Sequence, residues 1–580
     1  MSEVRASSTS PRRVVIACVV LLVALALAFG WIVSRVAVTA IELTRLEGSA
    51  RTLIDAAASG DAGAVTSGVH DLVAHADAAG GAASDPLWPV AEALPWVGDD
   101  VAAIRTVAVH AAAVGQALLP VVDAAAGGTD FTSDLPGIHQ HLAAAAGVLA
   151  DAESALADVQ ARDLEPRIAD AVHQVHAQLA AATPTVRTLA GATAALPELW
   201  GLDGARSVLV MMQNSAEART GGGITGSFAL LSADAGGLTL VTQADSSSFE
   251  GVPMPSVETA ASSKALYGDI IGRYVQNASL TTDFDLTARL ASAWWVTLGH
   301  PAPDAIVSVD PLVMRALLSV TGPVTLADGS TLSADTLVER LLIEPYMTLD
   351  SAGQTAFLQS VTSAVVAALA TVQADPLTWA RAVAAPLAGG SVSIWTADAG
   401  VRDALAGTSL AGPAARHAAV GPGGFAVYVN DATGGKLDTF LHLAIASEVS
   451  SCRADGRTDT LIRVTMSSSL PVDAHLPGSM TGDGRYGTGI GDIGTSISVA
   501  APPGTFFGGV QKDGVPEVSV DVDDNGFPTS LVRVNLSPGE VNVIDFRFVS
   551  AEAGTPTPQI LTTPLLNAAE IQPPVVLPCA

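Results

Sequence analysis

The feature that most constrains this chain is an uncharged apolar run near its N-terminus, Val14–Val33. Its 20 residues match the length that a helix needs to cross the roughly 30 Å hydrocarbon core of a membrane. Arg12 and Arg13 come directly before the run, so the positive-inside rule favours an N-terminus in the cytoplasm. We therefore expect a cytoplasmic tail at 1–13, a single transmembrane helix at 14–33 in the cell membrane, and an extracytoplasmic remainder. The alternative is a cleaved signal peptide, whose apolar region is shorter, at about 7 to 15 residues.

The rest of the chain has the composition of a folded protein. The formal net charge is −29, yet only 15% of the residues are charged and 49% are hydrophobic, which separates the chain from acidic disordered proteins. The excess of acidic residues opposes binding to nucleic acid and to anionic lipid surfaces. Only three of the 28 basic residues are lysines, a bias that resembles the high-GC coding of actinobacteria.

Three regions with different patterns follow the apolar run. Residues 38–199 are rich in alanine, with Leu and Val at three- and four-residue spacing, which predicts a helical bundle or stalk. Residues 201–421 alternate strand-like and helix-like runs, which predicts a central α/β domain. Residues 435–550 alternate apolar and polar positions between short turns, which predicts a β-sandwich of immunoglobulin-like architecture. The chain is therefore predicted to be a multidomain α+β protein that ends in a Pro-rich tail at 551–580.

Two cysteines, Cys452 and Cys579, fall in the part of the chain predicted to be extracytoplasmic. Disulfides persist in such an oxidising compartment, so these two residues are a candidate pair. The bond would fasten the Pro-rich tail to the last domain. Two unrelated thiols are the alternative.

The candidate functional site is a polar turn that follows the strand predicted at Val208–Met212. The turn contains Glu217 and Arg219, and the three glycines Gly221, Gly222 and Gly223 come next. An arginine can hold a phosphate through two hydrogen bonds, and successive glycine N–H groups can line the other side of an anion. The structural alternative is an ion pair between Glu217 and Arg219 that stabilises a tight turn.

Two aspartates of the same region, Asp245 and Asp310, are candidates for binding Mg²⁺, which prefers carboxylates together with substrate phosphates. The structural alternative is that they cap helices. Asp310 is followed by Pro311 and lies after a strand predicted at Ala305–Val309. Because Asp accepts hydrogen bonds from free N–H groups and Pro fits the first turn, this pair predicts the start of a helix.

Other motifs favour structural interpretations. Gly221-x-Gly223-x-x-Gly226 matches the dinucleotide-binding pattern, but a strand rather than a helix is predicted after it. The run from Asp521 to Asn525-Gly526 matches half of a calcium loop; position twelve is Val532, and Asn-Gly predicts a hairpin turn. The histidines form no set with other ligands, and no nucleophile motif of the common hydrolases occurs. We expect no metal site built from protein ligands alone.

The run Gln213–Phe228 resembles the signature of domain of unknown function 4012, a family of actinobacterial single-pass envelope proteins. The resemblance extends over roughly Trp200 to Ser550 and includes five further stretches: Thr282–Phe284, Asp304–Pro311, Thr321–Val324, Ile394–Asp398, and Val427–Asn430 together with Lys436. It implies a membrane-anchored envelope protein, and the family itself has no settled activity.

The order of strand, Arg-bearing turn, hairpin and later strand–Asp–helix is also similar to the LytR–CpsA–Psr family. Enzymes of that family attach glycopolymers to the cell wall from polyprenyl-pyrophosphate carriers. The similarity carries over Arg219 and, less directly, Asp245. An Arg-Asp pair that follows the hairpin in that family has no counterpart in Gln243–Ser246. Enzymatic activity therefore stays open, because stabilising a pyrophosphate takes several cations.

These patterns lead to two functional hypotheses. The first is that the protein assists envelope glycan assembly or attachment by binding a lipid-linked or polymeric glycan at the Arg219 turn. If it is an enzyme, it would be a divergent phosphotransferase acting on polyprenyl-pyrophosphate-linked glycans, with Mg²⁺ as the candidate cofactor. The second is a non-enzymatic envelope scaffold or adhesion protein that binds another envelope protein or a polysaccharide through its β-sandwich.

Overall fold

The computed structural model describes residues 11–59, 62–126, 135–374, 376–554 and 557–579. They form two compact units, one up to Ala190 and one from Gly191 onward. The first unit is helical and the second combines helices with several sheets. This confirms the prediction of a mixed α+β chain with a helical N-terminal part. The cytoplasmic tail predicted at 1–13 lies mostly outside the described residues.

Long alanine-rich helices build the first unit, and small side chains let them approach closely. Trp88 is buried against Ala79, Ala83 and Ala108. A Cβ atom added to Gly80 would lie 2.7 Å from the Cβ of Ala112, so the helices meet there almost backbone to backbone. The helices are α1 (Pro11–Ser59), α2 (Ala62–Ala83), α3 (Trp88–Glu92), α4 (Gly98–Ala126), α5 (Leu135–Gln160) and α6 (Pro166–Leu199), which continues into the second unit.

Two described helices, Gly98–Ala124 and Ser351–Leu369, are long and apolar enough to cross a membrane, judged by length and composition alone. Core helices of soluble proteins can meet the same criteria. The helix predicted to cross, Val14–Val33, is the N-terminal part of α1. Most of its side chains lie outside the described residues. The membrane anchor therefore rests on the sequence.

A five-stranded mixed sheet organises the first part of the second unit, in the order β3-β2-β1-β4-β7. In this sheet β1 and β4 run parallel. The pairs β1–β2, β2–β3 and β4–β7 are antiparallel. Leu209 and Met211 of β1 pack on Trp295 on one face of the sheet. The strands are β1 (Arg206–Asn214), β2 (Ile224–Asp234), β3 (Gly237–Asp245), β4 (Ala305–Val309), the separate pair β5 (Val324–Thr325) and β6 (Thr331–Leu332), and β7 (Val392–Thr396).

Helices that pack around this sheet begin where the sequence provides caps. The side chain of Asp310 accepts hydrogen bonds from the N–H groups of Leu312 and Val313, and Pro311 occupies the first turn, which confirms the predicted helix start. The helices are α7 (Ala261–Tyr267), α8 (Ile270–Arg273), α9 (Phe284–Thr297), α10 (Pro311–Thr321), α11 (Glu344–Thr348), α12 (Ser351–Leu369), α13 (Pro376–Gly389), α14 (Ala399–Leu405), α15 (Pro413–Val420) and, further along, α16 (Gly478–Thr481).

Two further sheets, the C-terminal sheets, share one hydrophobic cluster that includes Val429, Ile445 and Phe546. Their orders are β14-β15-β11-β8-β17 and β13-β12-β16-β10-β9-β18, with β19 also on β9. The strands are β8 (Gly424–Asp431), β9 (Leu441–Ser450), β10 (Arg457–Ser468), β11 (Ile493–Ala500), β12 (Phe506–Lys512), β13 (Val515–Glu517), β14 (Val520–Asp524), β15 (Phe527–Leu536), β16 (Val541–Ala553), β17 (Gln559–Thr562), β18 (Glu570–Ile571) and β19 (Val575–Val576).

The C-terminal sheets include strands from both sides of the range 435–550. β8, which precedes this range, pairs with β11 and β17. The predicted tail contributes β17, β18 and β19, which pair in parallel with β8 and β9. Cys452 and Cys579, the candidate pair, are bonded and hold the last strands to β9. The hairpin at Asn525-Gly526 joins β14 and β15 as predicted.

Candidate functional site

The signature turn leaves the sheet after Asn214 and returns at Ile224. Its shape is fixed by its own backbone, since the N–H of Gly222 donates to the carbonyl of Arg219 at 2.8 Å and that of Ile224 to the carbonyl of Glu217 at 2.8 Å. Gly222 has a φ of 116°. A Cβ atom on Gly223 would lie 2.5 Å from the Asn214 carbonyl. Both positions therefore require glycine for geometric reasons.

Glu217 is buried and pairs with a lysine that lies 219 residues later in the chain. Its Oε2 atom is 2.7 Å from the Nζ atom of Lys436, which also lies 4.5 Å from the ring centre of Tyr346. Burial lowers the pKa of Lys436, but the charge of Glu217 and the nearby Tyr346 outweigh it and the pKa is raised. Lys436 therefore stays charged, and the two side chains form a buried ion pair.

Arg219 is also buried, with 6% of its surface exposed. Its Nη1 atom donates to the carbonyl oxygens of Asp431 at 2.6 Å and of Ala218 at 3.0 Å, and lies 3.7 Å from Oδ2 of Asp431. Nε of Arg219 has no hydrogen-bond partner among the described residues. Burial raises the pKa of Asp431, and the charge of Arg219 opposes this increase.

A third carboxyl, Asp438, holds the backbone of the turn. Its Oδ2 atom accepts from the N–H of Ala218 at 2.7 Å, and its own N–H donates to the carbonyl of Ala216 at 3.1 Å. Burial and the charge of Asp431 raise the pKa of Asp438 well above its ordinary value. Both effects favour the protonated form of the Asp438 carboxyl.

We call the cluster of five side chains the signature joint: Glu217, Arg219, Asp431, Lys436 and Asp438. The sequence offered an ion pair between Glu217 and Arg219 as the structural alternative for this turn. The structure has ion pairs here, but with other partners. Glu217 and Arg219 do not pair with each other. Arg219 pairs with Asp431 at the end of β8, and Glu217 pairs with Lys436 in the segment before β9. The joint therefore connects the mixed sheet to the C-terminal sheets.

The glycine N–H groups of the turn are largely occupied. Gly221 donates to the carbonyl of Ser279 at 3.4 Å and Gly222 to that of Arg219. The neighbouring Thr220 donates to Oδ1 of Asn430 at 2.9 Å. An anion at this turn would have to replace these bonds.

Asp310 lies beside the turn, since a Cβ atom on Gly222 would be 3.4 Å from its Oδ2 atom. Oδ1 caps α10, while Oδ2 is buried and has no partner among the described residues. Burial raises the pKa of Asp310 to about 6, against the lowering effect of Ser391 and of the two capping N–H groups. The hydroxyl of Ser391 lies near enough to lower this pKa, but its geometry gives it no hydrogen-bond partner among the described residues.

A small cavity of about 50 Å³ lies at the carboxyl ends of the parallel strands β1 and β4, with Asn214, Asp310 and Tyr346 in its wall. Its other walls are mostly apolar, with Met212, Met314, Leu342, Leu358 and Val361 among them. Ligands of sheets with parallel strands commonly bind outside these ends. Asp310 is the charged residue of the wall.

Asp245 is engaged elsewhere. It caps the short helix Ser246–Phe249 and accepts hydrogen bonds from the hydroxyls of Ser247 and Thr355, both at 2.6 Å. Burial tends to raise the pKa of Asp245, but these hydrogen bonds outweigh it and the pKa is lowered. None of its hydrogen-bond partners in the described chain belongs to the signature joint. Within the described residues, no group of three or more His, Cys, Asp or Glu side chains is arranged around a metal position.

The comparisons with known proteins agree with the signature. Residues 203–346 match the family model of DUF4012, a protein of unknown function. The DUF4012 segment contains Glu217, Arg219 and Asp310. It ends before Asp431, Lys436 and Asp438, so the other half of the signature joint lies outside it. No curated protein and no solved structure matches the chain.

Asp431, Lys436 and Asp438 are the residues that sequence reasoning missed as parts of the site. Lys436, and Asn430 next to Asp431, belong to the stretches that resemble the family. This resemblance was the sequence signal that could have pointed to the region. Their charges complement those of Glu217 and Arg219, but more than 200 residues separate the two groups. No local pattern shows which distant charge completes a pair.

Proposed function

We propose that the protein is a non-enzymatic scaffold of the cell envelope, anchored in the cell membrane by Val14–Val33 with its N-terminus in the cytoplasm. The observation that carries the proposal is the burial of Glu217 and Arg219 in pairs with Lys436 and Asp431. Arginines that bind phosphate must offer their N–H groups to the ligand. The Nη1 atom of Arg219 donates to two backbone carbonyls and the side chain is only 6% exposed, which suits a joint better than an open binding site.

In this proposal the C-terminal sheets form an immunoglobulin-like β-sandwich and bind the partner, an envelope polysaccharide or another envelope protein. Their β12–β14 region exposes five apolar side chains, which we call the apolar edge: Phe506, Phe507, Val515, Val518 and Val520. β13 is the last strand of its sheet. Exposed apolar groups next to a strand with one unpaired side are typical of surfaces that bind other molecules.

The test compares two exposed valines in the full chain reconstituted in lipid nanodiscs. Val518 belongs to the apolar edge and is 89% exposed, while Val472 lies in the turn after β10 and is 83% exposed. We expect the wild-type protein to co-sediment with isolated cell-wall material, Val518→Glu to lose this binding at least tenfold, and Val472→Glu to keep it. Equal binding by both variants contradicts a role of the apolar edge.

The second candidate is binding of a lipid-linked or polymeric glycan at the signature turn. It is favoured by the Nε atom of Arg219, a buried donor without a partner among the described residues, and by the unpaired Oδ2 of Asp310, a carboxylate oxygen of the kind that Mg²⁺ prefers. Arg219→Lys keeps the charge and removes the planar fork. The test is whether the wild-type protein cleaves a polyprenyl-pyrophosphate glycan with Mg²⁺, and whether Arg219→Lys loses this activity at an unchanged melting temperature. If both hold, the protein is a phosphotransferase and the scaffold proposal is wrong.

A further inference from the structure

The segment from Trp88 to Val97, which contains α3, has one buried tryptophan and several exposed apolar side chains. Trp96 is 95% exposed, and Val90, Leu94 and Val97 are also exposed. Trp88, on the opposite side of the segment, is 1% exposed and packs on α2 and α4. The segment is therefore fixed to the helical unit on one side and presents its apolar residues outward. We call these four exposed residues the outer patch.

The backbone of Trp96 is held in an unusual conformation. Its φ is 74°, in the left-handed region, which a bulky side chain rarely adopts. Such conformations cost free energy and cluster at functional positions. At 95% exposure, the Trp96 side chain buries little surface among the described residues that could offset this cost. An environment outside the chain would supply the compensation.

The position of the segment along α1 identifies that environment. Oδ2 of Asp85 accepts a hydrogen bond from Nε1 of Trp31 at 2.8 Å and lies 3.3 Å from Nε of Arg35. Trp31 and Arg35 mark the outer end of the apolar run Val14–Val33. Trp88 packs near Val36, only a few residues further on. At 1.5 Å per residue, the segment starts level with the edge of the hydrocarbon core.

Three acidic side chains next to the outer patch are engaged within the unit, two of them in ion pairs. Asp85 pairs with Arg35, and Glu92 lies 3.0 Å from Arg105. Asp100 accepts from the N–H of Glu165 at 2.8 Å. An acidic side chain that is engaged within the protein repels the phosphate of a lipid headgroup less than a free acidic side chain does, because its charge is partly compensated. Tryptophan is itself enriched at the boundary between lipid and water, where its ring is half buried.

We propose that the outer patch inserts into the outer surface of the bilayer and forms a second membrane contact beside the helical anchor. This rests on the proposed anchor at Val14–Val33. The contact would fix the angle at which the helical unit leaves the membrane, because one helix alone leaves rotation about its axis free. The occupant of the patch is the zwitterionic headgroup and upper acyl region, since the chain carries a net charge of −29.

The experiment measures depth in the bilayer with the full chain in phosphatidylcholine vesicles. Cys18 is replaced by serine, and a single labelled cysteine is placed in turn at Trp96, Ser154 or Leu27. Ser154 is an exposed position on α5, and Leu27 is an exposed position in the apolar run. Quenching by lipids brominated high on the acyl chain is compared with quenching by iodide in water.

We expect the label at Trp96 to be quenched at least threefold more by the brominated lipid than the label at Ser154, and to be shielded from iodide. If the labels at 96 and 154 behave alike while the label at Leu27 is quenched by lipid, the second contact is refuted and the anchor stands. If the label at Leu27 is not quenched by lipid, the anchor fails and the proposed contact fails with it. Val90→Glu, with the label at 96, should remove the lipid quenching if the patch acts as one surface.

Discussion

The two units of the chain are stabilised by different means. The helical unit relies on alanines and a glycine that let helices touch, with Trp88 as its largest buried side chain. The second unit relies on large apolar side chains together with ionic and covalent links between residues that are far apart in sequence, such as the signature joint and the disulfide. A unit of the first kind is sensitive to added volume. A unit of the second kind is sensitive to the loss of a partner.

The largest effect is expected from breaking the signature joint. Lys436→Met leaves Glu217 buried without its counter-charge, and removing one partner of a buried ion pair costs about 3–5 kcal/mol. Denaturant unfolding of the second unit should show this loss. Adding Glu217→Gln should recover part of it, since no uncompensated charge remains.

An exposed pair provides the control for this prediction. Arg289 and Asp285 are four residues apart on α9, and their side chains are 42% and 53% exposed. Arg289→Met should change the unfolding free energy by less than about 0.5 kcal/mol. Equal effects of the two substitutions would mean that the joint contributes no more than a surface pair.

The next effect concerns the disulfide, whose two cysteines are 127 residues apart. Cys579→Ser should lower the unfolding free energy by about 2–4 kcal/mol, because the bond restricts a long loop in the unfolded chain. Hydrogen exchange should increase first at β18 and β19, which depend on β9 for pairing. Unchanged exchange at these strands would show that their pairing alone holds them.

The raised pKa of Asp310 predicts that the free energy of unfolding depends on pH through this residue at the start of α10. Its folded pKa of about 6 lies above the ordinary 3.8, so the folded state binds a proton more tightly than the unfolded state. The contribution to stability is complete below about pH 4 and is lost as the pH rises through about 6, a change of about 2 to 3 kcal/mol. Asp310→Asn keeps the cap and cannot ionise, so it should remove this decrease.

Comparing the variant and the wild-type protein from pH 4 to pH 8 measures the effect directly. Parallel curves would mean that Asp310 keeps an ordinary pKa in the folded protein, and that its unpaired oxygen reaches water or a ligand.

The smallest effect distinguishes two adjacent glycines of the helical unit. Gly80→Ala places a Cβ atom 2.7 Å from that of Ala112, whereas an added Cβ at Gly81 has nothing within 4 Å. We expect Gly80→Ala to destabilise the unit by about 1 kcal/mol through overpacking, and Gly81→Ala to stabilise it by about 0.5–1 kcal/mol through helix propensity. Thermal unfolding followed by circular dichroism would show shifts of opposite sign.

Sequence reasoning succeeded where a short segment contains its own signal. Ala305–Val309 is the predicted strand, and Asp310-Pro311 starts the predicted helix, because cap and proline act within one turn. The Asn525-Gly526 hairpin is equally local.

The prediction was incomplete where the structure depends on distant partners. The strands of the C-terminal tail are only two to four residues long, and they form by pairing in parallel with β8 and β9. Their short apolar stretches between prolines give no periodicity. The candidate site shows the same limit, since the sequence singled out the turn while its charge partners were more than 200 residues away.

The signature joint also implies that the DUF4012 segment and the C-terminal sheets evolve as one piece of chain. A chain that ended at residue 346 would keep Glu217 and Arg219 and lose Asp431, Lys436 and Asp438, so two charges that the fold buries would have no complement. A motif can be recognised over a stretch that is too short to fold. Exchange of this segment between proteins should therefore succeed only when the C-terminal sheets travel with it, and the two parts should change their charges in step.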